Sequence, residues 1–258
     1  MAFLDVHFYS KALDVQVSVY VLLPENEGGI GISSAAGKEA PRVLYLLHGY
    51  SDDHTIWLRR TSIDRYAADK NLAVVMPAVN HSFYTNEAHG EKYWDFVSEE
   101  LPQAIQRFFR VSDRPRDTFV CGLSMGGYGA MKLALTHPDR FRAAGSFSGA
   151  LDIAAPERMT KDRKERYERI FGDVRTLQGS AHDLHHLLEK NASAPEKPRL
   201  YIACGDKDFL YSQHGPFIKK AEALGWDVTH REVPGFGHEW AFWDQQIQAF
   251  LAWALPEN

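Results

Sequence analysis

Cysteine is nearly absent from this chain. Only Cys121 and Cys204 occur in its 258 residues. Both fall in stretches that read as interior strands, as small buried hydrophobes rather than a disulfide. Excess positive charge is lacking as well: 29 Lys and Arg stand against 34 Asp and Glu, a formal net charge of −5. No basic run or patch breaks that balance, which argues against nucleic acid as the main partner. No apolar run approaches the length of a membrane span. Met1-Ala2-Phe3-Leu4 leads straight into Asp5, without the basic and long apolar stretches of a secretory signal. These absences point to a cytoplasmic protein with no membrane partner. Zinc-ligand and phosphate-loop spacings are missing too, so neither metal nor cofactor is expected. His182, His185 and His186 lie close together but lack a third ligand cluster, and a polar helix face accounts for them.

What is present suits one α/β domain spanning 1–258. Hydrophobic residues make up 45% and charged residues 24%, ample material for a core. Residues 6–23 alternate and are rich in valine and aromatics, a pattern of two strands broken near Ser10–Asp14. Residues 24–41 read as a polar loop. Arg42–Leu47, Leu72–Met76, Thr118–Cys121 and Leu200–Cys204 are short continuous apolar runs, as in strands buried on both faces. Further strands are expected over Phe141–Ser148 and Val228–Val233. Helical spacing is read within Trp57–Lys70 and over Phe96–Phe109, after the elbow described below, over Pro216–Leu224 and over Trp240–Leu255. Pro102 is acceptable only near the first turn of its helix. Residues 150–198 read as helical insertions over the sheet edge, a small partial cap. The alternation predicts an α/β fold: a mostly parallel central sheet flanked by helices, with an antiparallel N-terminal edge.

The most informative stretch is Thr118–Ala130, TFVCGLSMGGYGA. A buried strand runs into Gly122-Leu-Ser124-Met-Gly126 and then into a helix, the context a G-x-S-x-G nucleophile elbow requires. The two glycines leave room for strand and helix to pass closely around a serine in a strained turn. The helix N-terminus beyond it favours an oxyanion.

Chemistry in such sheets gathers at the carboxyl ends of the strands. Three of these ends carry Ser124, an acid and His238, in α/β-hydrolase chain order. A serine hydroxyl needs a base to take its proton, and the imidazole needs a buried carboxylate to fix its tautomer. Asp206 and Asp208 both follow Gly205. Asp208 lies far enough past the strand to turn back toward the histidine loop and is preferred. His238 stands in the Gly-rich loop after the last strand. His48, before Gly49, suits shaping of an oxyanion loop rather than proton transfer. The backbone N–H groups of Met125 and Tyr50 are the expected oxyanion donors. The long loop 80–95, rich in aromatics, is expected to shape a substrate pocket through Tyr84, Tyr93 and Trp94.

HGYSDDHTIWLRRTSIDRYA, VVMPAVNHSFYTN, EELPQAIQRFF, CGLSMGGYGAMKLAL, SFSGALD, CGDKDFLY and GFGHEW together resemble the esterase D/putative esterase group of α/β-hydrolases, in particular its bacterial tributyrin esterases. The likeness spans roughly 42–253. It implies a serine carboxylesterase acting on short acyl esters through an acyl-enzyme, without a cofactor. It implies Ser124 as nucleophile, Asp208 as acid, His238 as base, and the amides of Tyr50 and Met125 as the oxyanion hole. It also implies oligomers, a dimer or tetramer. Relatives include S-formylglutathione hydrolases, feruloyl and acetyl-xylan esterases and mycolyltransferases, so thioester hydrolysis is the alternative activity. A non-catalytic binding protein on the same fold is the remote one, since all three triad residues are retained. Two departures bear on substrate: Trp94 replaces a smaller aromatic, and residues 28–39 look inserted.

Overall fold

The run Arg42-Val-Leu-Tyr-Leu-Leu offers no polar face to water, so it must be covered on both sides. In the computed structural model, which describes residues 1–25, 28–31, 39–155 and 161–255, it forms a central strand. The strands are β1 (Ala2–Ser10), β2 (Val15–Leu23), β3 (Arg42–Leu47), β4 (Leu72–Pro77), β5 (Thr118–Leu123), β6 (Ala143–Phe147), β7 (Arg199–Gly205) and β8 (Val228–Val233). They build one sheet in the order β1-β2-β4-β3-β5-β6-β7-β8. β1, β2 and β4 pair antiparallel, and from β4 through β8 all pairs are parallel. Half of the 24–41 loop, including most of the suspected 28–39 insertion, lies outside the described residues.

The helices are α1 (Ile56–Arg60), α2 (Ile63–Ala67), α3 (Tyr93–Asp95), α4 (Leu101–Phe108), α5 (Met125–Thr136), α6 (Lys161–Phe171), α7 (Leu184–Lys190), α8 (Tyr211–Ala223) and α9 (Trp240–Ala254). Alternation along β3 divides the core between the two sheet faces. Val43, Tyr45 and Leu47 pack with α4, α5, α7 and α8, whereas Leu44 and Leu46 pack with α1, α2 and α9.

Four helical expectations change. The 57–70 segment is two short helices, not one. α8 begins at Tyr211, five residues before the expected Pro216, so that proline sits inside it. The 150–198 insertion divides: α7 packs into the helical layer beside α5 and α8, while among the described residues α6 lies over the cavity. Residues 156–160 of that insertion lie outside the described set. Finally, the helix expected from Phe96 starts at Tyr93, and Pro102 stands in the first turn of α4. One turn of π-helix, Phe96–Glu100, joins α3 to α4 just before the proline. Proline has no N–H for the carbonyl of Ser98, four residues back. That carbonyl is satisfied from outside the helix, by Arg140 Nη1 at 2.9 Å.

α5, the helix after the elbow, carries a buried cation. Lys132 Nζ donates to Thr85 Oγ1 at 2.8 Å and lies 4.5 Å from the centre of the Trp94 ring. No carboxylate pairs with it among the described residues. Burial lowers its pKa to about 7. Between about pH 7 and 10 the unfolded chain therefore binds a proton that the folded chain does not, and this group makes stability rise with pH. Replacing it by methionine removes that contribution. Denaturant unfolding at pH 7 and pH 9 should show Lys132→Met gaining stability over the native chain at pH 7, with the gap narrowing at pH 9.

Candidate active site

β3 and β5 run side by side, with Leu47 opposite Gly122. Their carboxyl ends bring the His48-Gly49-Tyr50 loop against the elbow. A side chain at Gly126 would place Cβ 2.4 Å from the carbonyl oxygen of Leu47. At Gly122 it would meet Gly126 carbonyl atoms and the Leu47 oxygen, all at 2.7 Å. Glycine is required at both positions by contact with backbone, which cannot swing aside. Between them Ser124 holds φ 53° and ψ −115°, a left-handed conformation costly for serine. Backbone bonds hold it there: Ser124 N–H to Phe147 O at 2.9 Å, and Ala150 N–H to Ser124 O at 3.2 Å.

His48 is buried and keyed into its own loop. Its Nδ1 lies 2.7 Å from Gly49 O, and Val79 N–H donates to its Nε2 at 3.0 Å. These partners fix the neutral tautomer with the proton on Nδ1. Burial lowers its pKa to about 4, so the ring stays neutral. Gly49 C=O and Tyr50 N–H belong to one planar peptide and point opposite ways. By holding the carbonyl, His48 sets the direction of the Tyr50 amide. Tyr50 and Met125 line one cavity with Ser124. Met125 opens α5, where an amide has no acceptor a turn earlier.

At the other strand ends the two candidate acids separate. Asp208 Oδ2 lies 2.9 Å from His238 Nδ1, with the carboxylate fully enclosed. Leu210 N–H donates to Oδ1 at 2.8 Å, and the Ser148 hydroxyl is a further polar neighbour that favours the ionised carboxylate. Burial alone would raise the Asp208 pKa, but bonds from His238, Ser148 and Leu210 outweigh it and the net shift is downward. Asp206 instead accepts from Gly235 N–H at 2.7 Å and lies 3.5 Å from Lys207 Nζ. Phe209 joins the two halves of the site: its ring centre is 4.5 Å from that of His238, and it lines the cavity with Ser124.

The cavity, about 330 Å³, is walled by Tyr50, Phe83, Ile153, Tyr167, Phe209 and Leu210, among others. Arg163 and Arg166 of α6 line it too, with Asp152 and Asp162. None of the three aromatics expected in the pocket lines it. Tyr84 is wholly buried and donates its hydroxyl to His48 O at 2.9 Å. Tyr93 accepts from Asn80 at 2.6 Å, and Trp94 stacks on His137 beside Lys132. Phe83 takes the place expected for Tyr84. Both residues have φ 51°, a left-handed turn that sequence spacing does not reveal and that decides which ring faces the cavity. The neighbouring histidines diverge: His182 meets Thr85 and Lys132, while His185 packs on Phe217. Sequence reasoning missed Phe83, Ser148 and the α6 arginines.

Comparison with known proteins adds relatives along the whole chain. Residues 10–254 match the protein family described as "Putative esterase". The chain is 32% identical to an acetyl esterase of Caldicellulosiruptor saccharolyticus over 98% of each protein. Among solved structures it resembles fluorophosphonate-binding serine hydrolase F of Staphylococcus aureus, with a TM-score of 0.86, 33% identity and 99% of each chain covered. It also resembles an S-formylglutathione hydrolase of the same organism, with a TM-score of 0.84, 33% identity and 98% of each chain covered.

The tight fit at the elbow is testable. Gly126→Ala forces β3 and α5 apart and should cost about 3 kcal/mol in denaturant unfolding, at the upper end for overpacking. A loss below a few tenths would mean the backbone contact is not limiting.

Proposed function

The chain belongs to the putative esterase family, and from that premise we propose that it is a carboxylesterase of short acyl esters working through an acyl-enzyme. The observation that carries this reading is the enclosed Asp208–His238 pair joined through Phe209 to the cavity of Ser124. Ser124 Oγ attacks the acyl carbonyl while His238 Nε2 takes its proton. Asp208, fixed on Nδ1, holds the tautomer that leaves Nε2 basic and stabilises the imidazolium that forms. The amides of Tyr50 and Met125 receive the oxyanion, each contributing on the order of 3 kcal/mol. The intermediate collapses, the C–O bond to the alcohol breaks, and His238 returns the proton to the leaving oxygen. Water then attacks the acyl carbon as His238 takes its proton; the bond from that carbon to Ser124 Oγ breaks, His238 returns the proton to Oγ, and the acid is released. The cavity is small and aromatic, which suits a short acyl chain.

A second reading has a specific observation behind it. Arg163, Arg166, Asp152 and Asp162 give the cavity both signs of charge. That arrangement suits a zwitterionic leaving group, such as the thiol of a formylated glutathione, over a plain alcohol. The chemistry at Ser124 is the same for ester and thioester.

The deciding experiment is turnover of p-nitrophenyl esters from acetate to decanoate beside S-formylglutathione. Acetate and butyrate should lead, with Ser124→Ala lower in kcat by a factor on the order of 10⁶. A preference for the thioester moves the assignment to the second reading. Ester turnover that survives in Ser124→Ala sinks both. In the same assay Asp208→Asn should lower kcat by about 10⁴, while Asp206→Asn, which loses only a loop contact, stays within a few-fold of the native enzyme. The reverse result would reassign the acid.

A further inference from the structure

β6 contributes no residue to the proposed triad, yet the turn at its end lies against two of its members, Ser124 and Asp208. Phe147 O and Ala150 N–H bracket Ser124 through the backbone. Between them Ser148 is completely buried and holds φ 49°, a left-handed conformation fixed by its N–H on Ala203 O at 2.8 Å. Such a backbone costs on the order of 1–3 kcal/mol for a residue other than glycine and persists where its surroundings impose it. The turn carries the Ser148 side chain to Asp208. Trp243, on α9, approaches from behind: its Nε1–H donates to Ser148 Oγ at 3.1 Å.

Hydrogen-bond direction follows from the donor inventory. Indole N–H can only donate, so it occupies an acceptor site of the Ser148 hydroxyl. The single hydroxyl proton is left for another partner, and the ionised Asp208 carboxylate is the strongest acceptor in reach. The Cys204 thiol also meets Ser148, but burial pushes its pKa far up and keeps it neutral, a weak acceptor. His214, on α8, also faces this carboxylate, and burial lowers its pKa to about 4, so it adds no charge near neutrality. The Trp243 ring stands edge-on to His238, with centres 4.9 Å apart and planes at 85°. One tryptophan thus contacts both Ser148 and His238.

We infer that Ser148 is a positioning residue for the acid: its hydroxyl, aimed by Trp243, fixes the carboxylate of Asp208 against His238. The role rests on the triad reading given above. With its oxygens held by Leu210 N–H, His238 and Ser148, the carboxylate cannot rotate away from the imidazole. Ser148 never meets substrate and acts only through Asp208.

The test compares Ser148→Ala, Trp243→Phe and the double variant in p-nitrophenyl acetate hydrolysis across pH, with Asp208→Asn as reference. Ser148→Ala should lower kcat about tenfold, the scale of one hydrogen bond to a charged group, and leave KM unchanged. Without that bond the carboxylate holds the imidazolium proton more tightly, so the acidic limb of kcat/KM moves to higher pH. Trp243→Phe keeps the ring and removes only the N–H. It should lower kcat by a smaller factor, and add nothing in the Ser148→Ala background. Unchanged kcat and pH limb in Ser148→Ala overturn the inference. So do additive losses, or a loss confined to KM. If Ser148→Ala does not fold, Trp243→Phe alone decides, by a lower kcat with the limb displaced or by neither. Full activity in Asp208→Asn would instead remove the triad reading beneath it, a result distinct from failure at Ser148.

Discussion

The carbonyls of Leu47 and His48 lie against Gly126, closer than any side chain would permit. The site depends on that contact. It brings the end of β3 and the start of α5 together, so that the Tyr50 loop and the Met125 amide share the cavity of Ser124. The contact also explains why the serine tolerates a strained backbone: β3 on one side and the Phe147–Ala150 turn on the other leave it no relaxed alternative. A sheet that twisted differently, or a bulkier residue at either glycine, would separate the amides from the hydroxyl. Catalytic geometry of this kind is supplied by backbone packing before any catalytic side chain is considered.

A second constraint is the handling of buried charge. His48, His182 and His214 are each driven toward neutrality by burial, with pKa values lowered to about 4. Buried carboxylates are surrounded by hydrogen-bond donors. Asp183 caps α7, accepting from His185 N–H at 2.9 Å, and also accepts from Gly179 N–H at 2.9 Å. Asp208 has Leu210, Ser148 and His238. The difference lies in the last partner: the His238 side chain is partly exposed, beside Phe209. Lys132 follows the same rule: burial lowers its pKa to about 7, and its near partners are a hydroxyl and an aromatic face.

Much of the frame was legible because it rests on local rules. Apolar runs of strand length gave β3, β4, β5 and β7. The glycine pair around Ser124 marked the elbow, since only glycine permits that approach. Asp208 was distinguishable from Asp206 by its distance past the strand, and the structure pairs it with His238. Other features were not legible. Nothing in the sequence announces the π-turn before Pro102 or the distant Arg140 that reaches the orphaned Ser98 carbonyl. The choice of Phe83 over Tyr84 at the cavity wall turned on two left-handed residues in succession.

The sequence by itself determined the layered α/β frame, the order of its chemistry-bearing residues and the absence of a membrane-length apolar run. These follow from periodicity, steric exclusion and spacing, which act over a few residues. Only the tertiary structure decided what lines the cavity, where α6 sits, and which groups brace the acid. Ser148 lies 60 residues from Asp208 and 95 from Trp243. No local pattern couples them. They meet because β6, β7 and α9 are packed side by side, and hydrogen-bond partners so far apart along the chain are chosen by the fold.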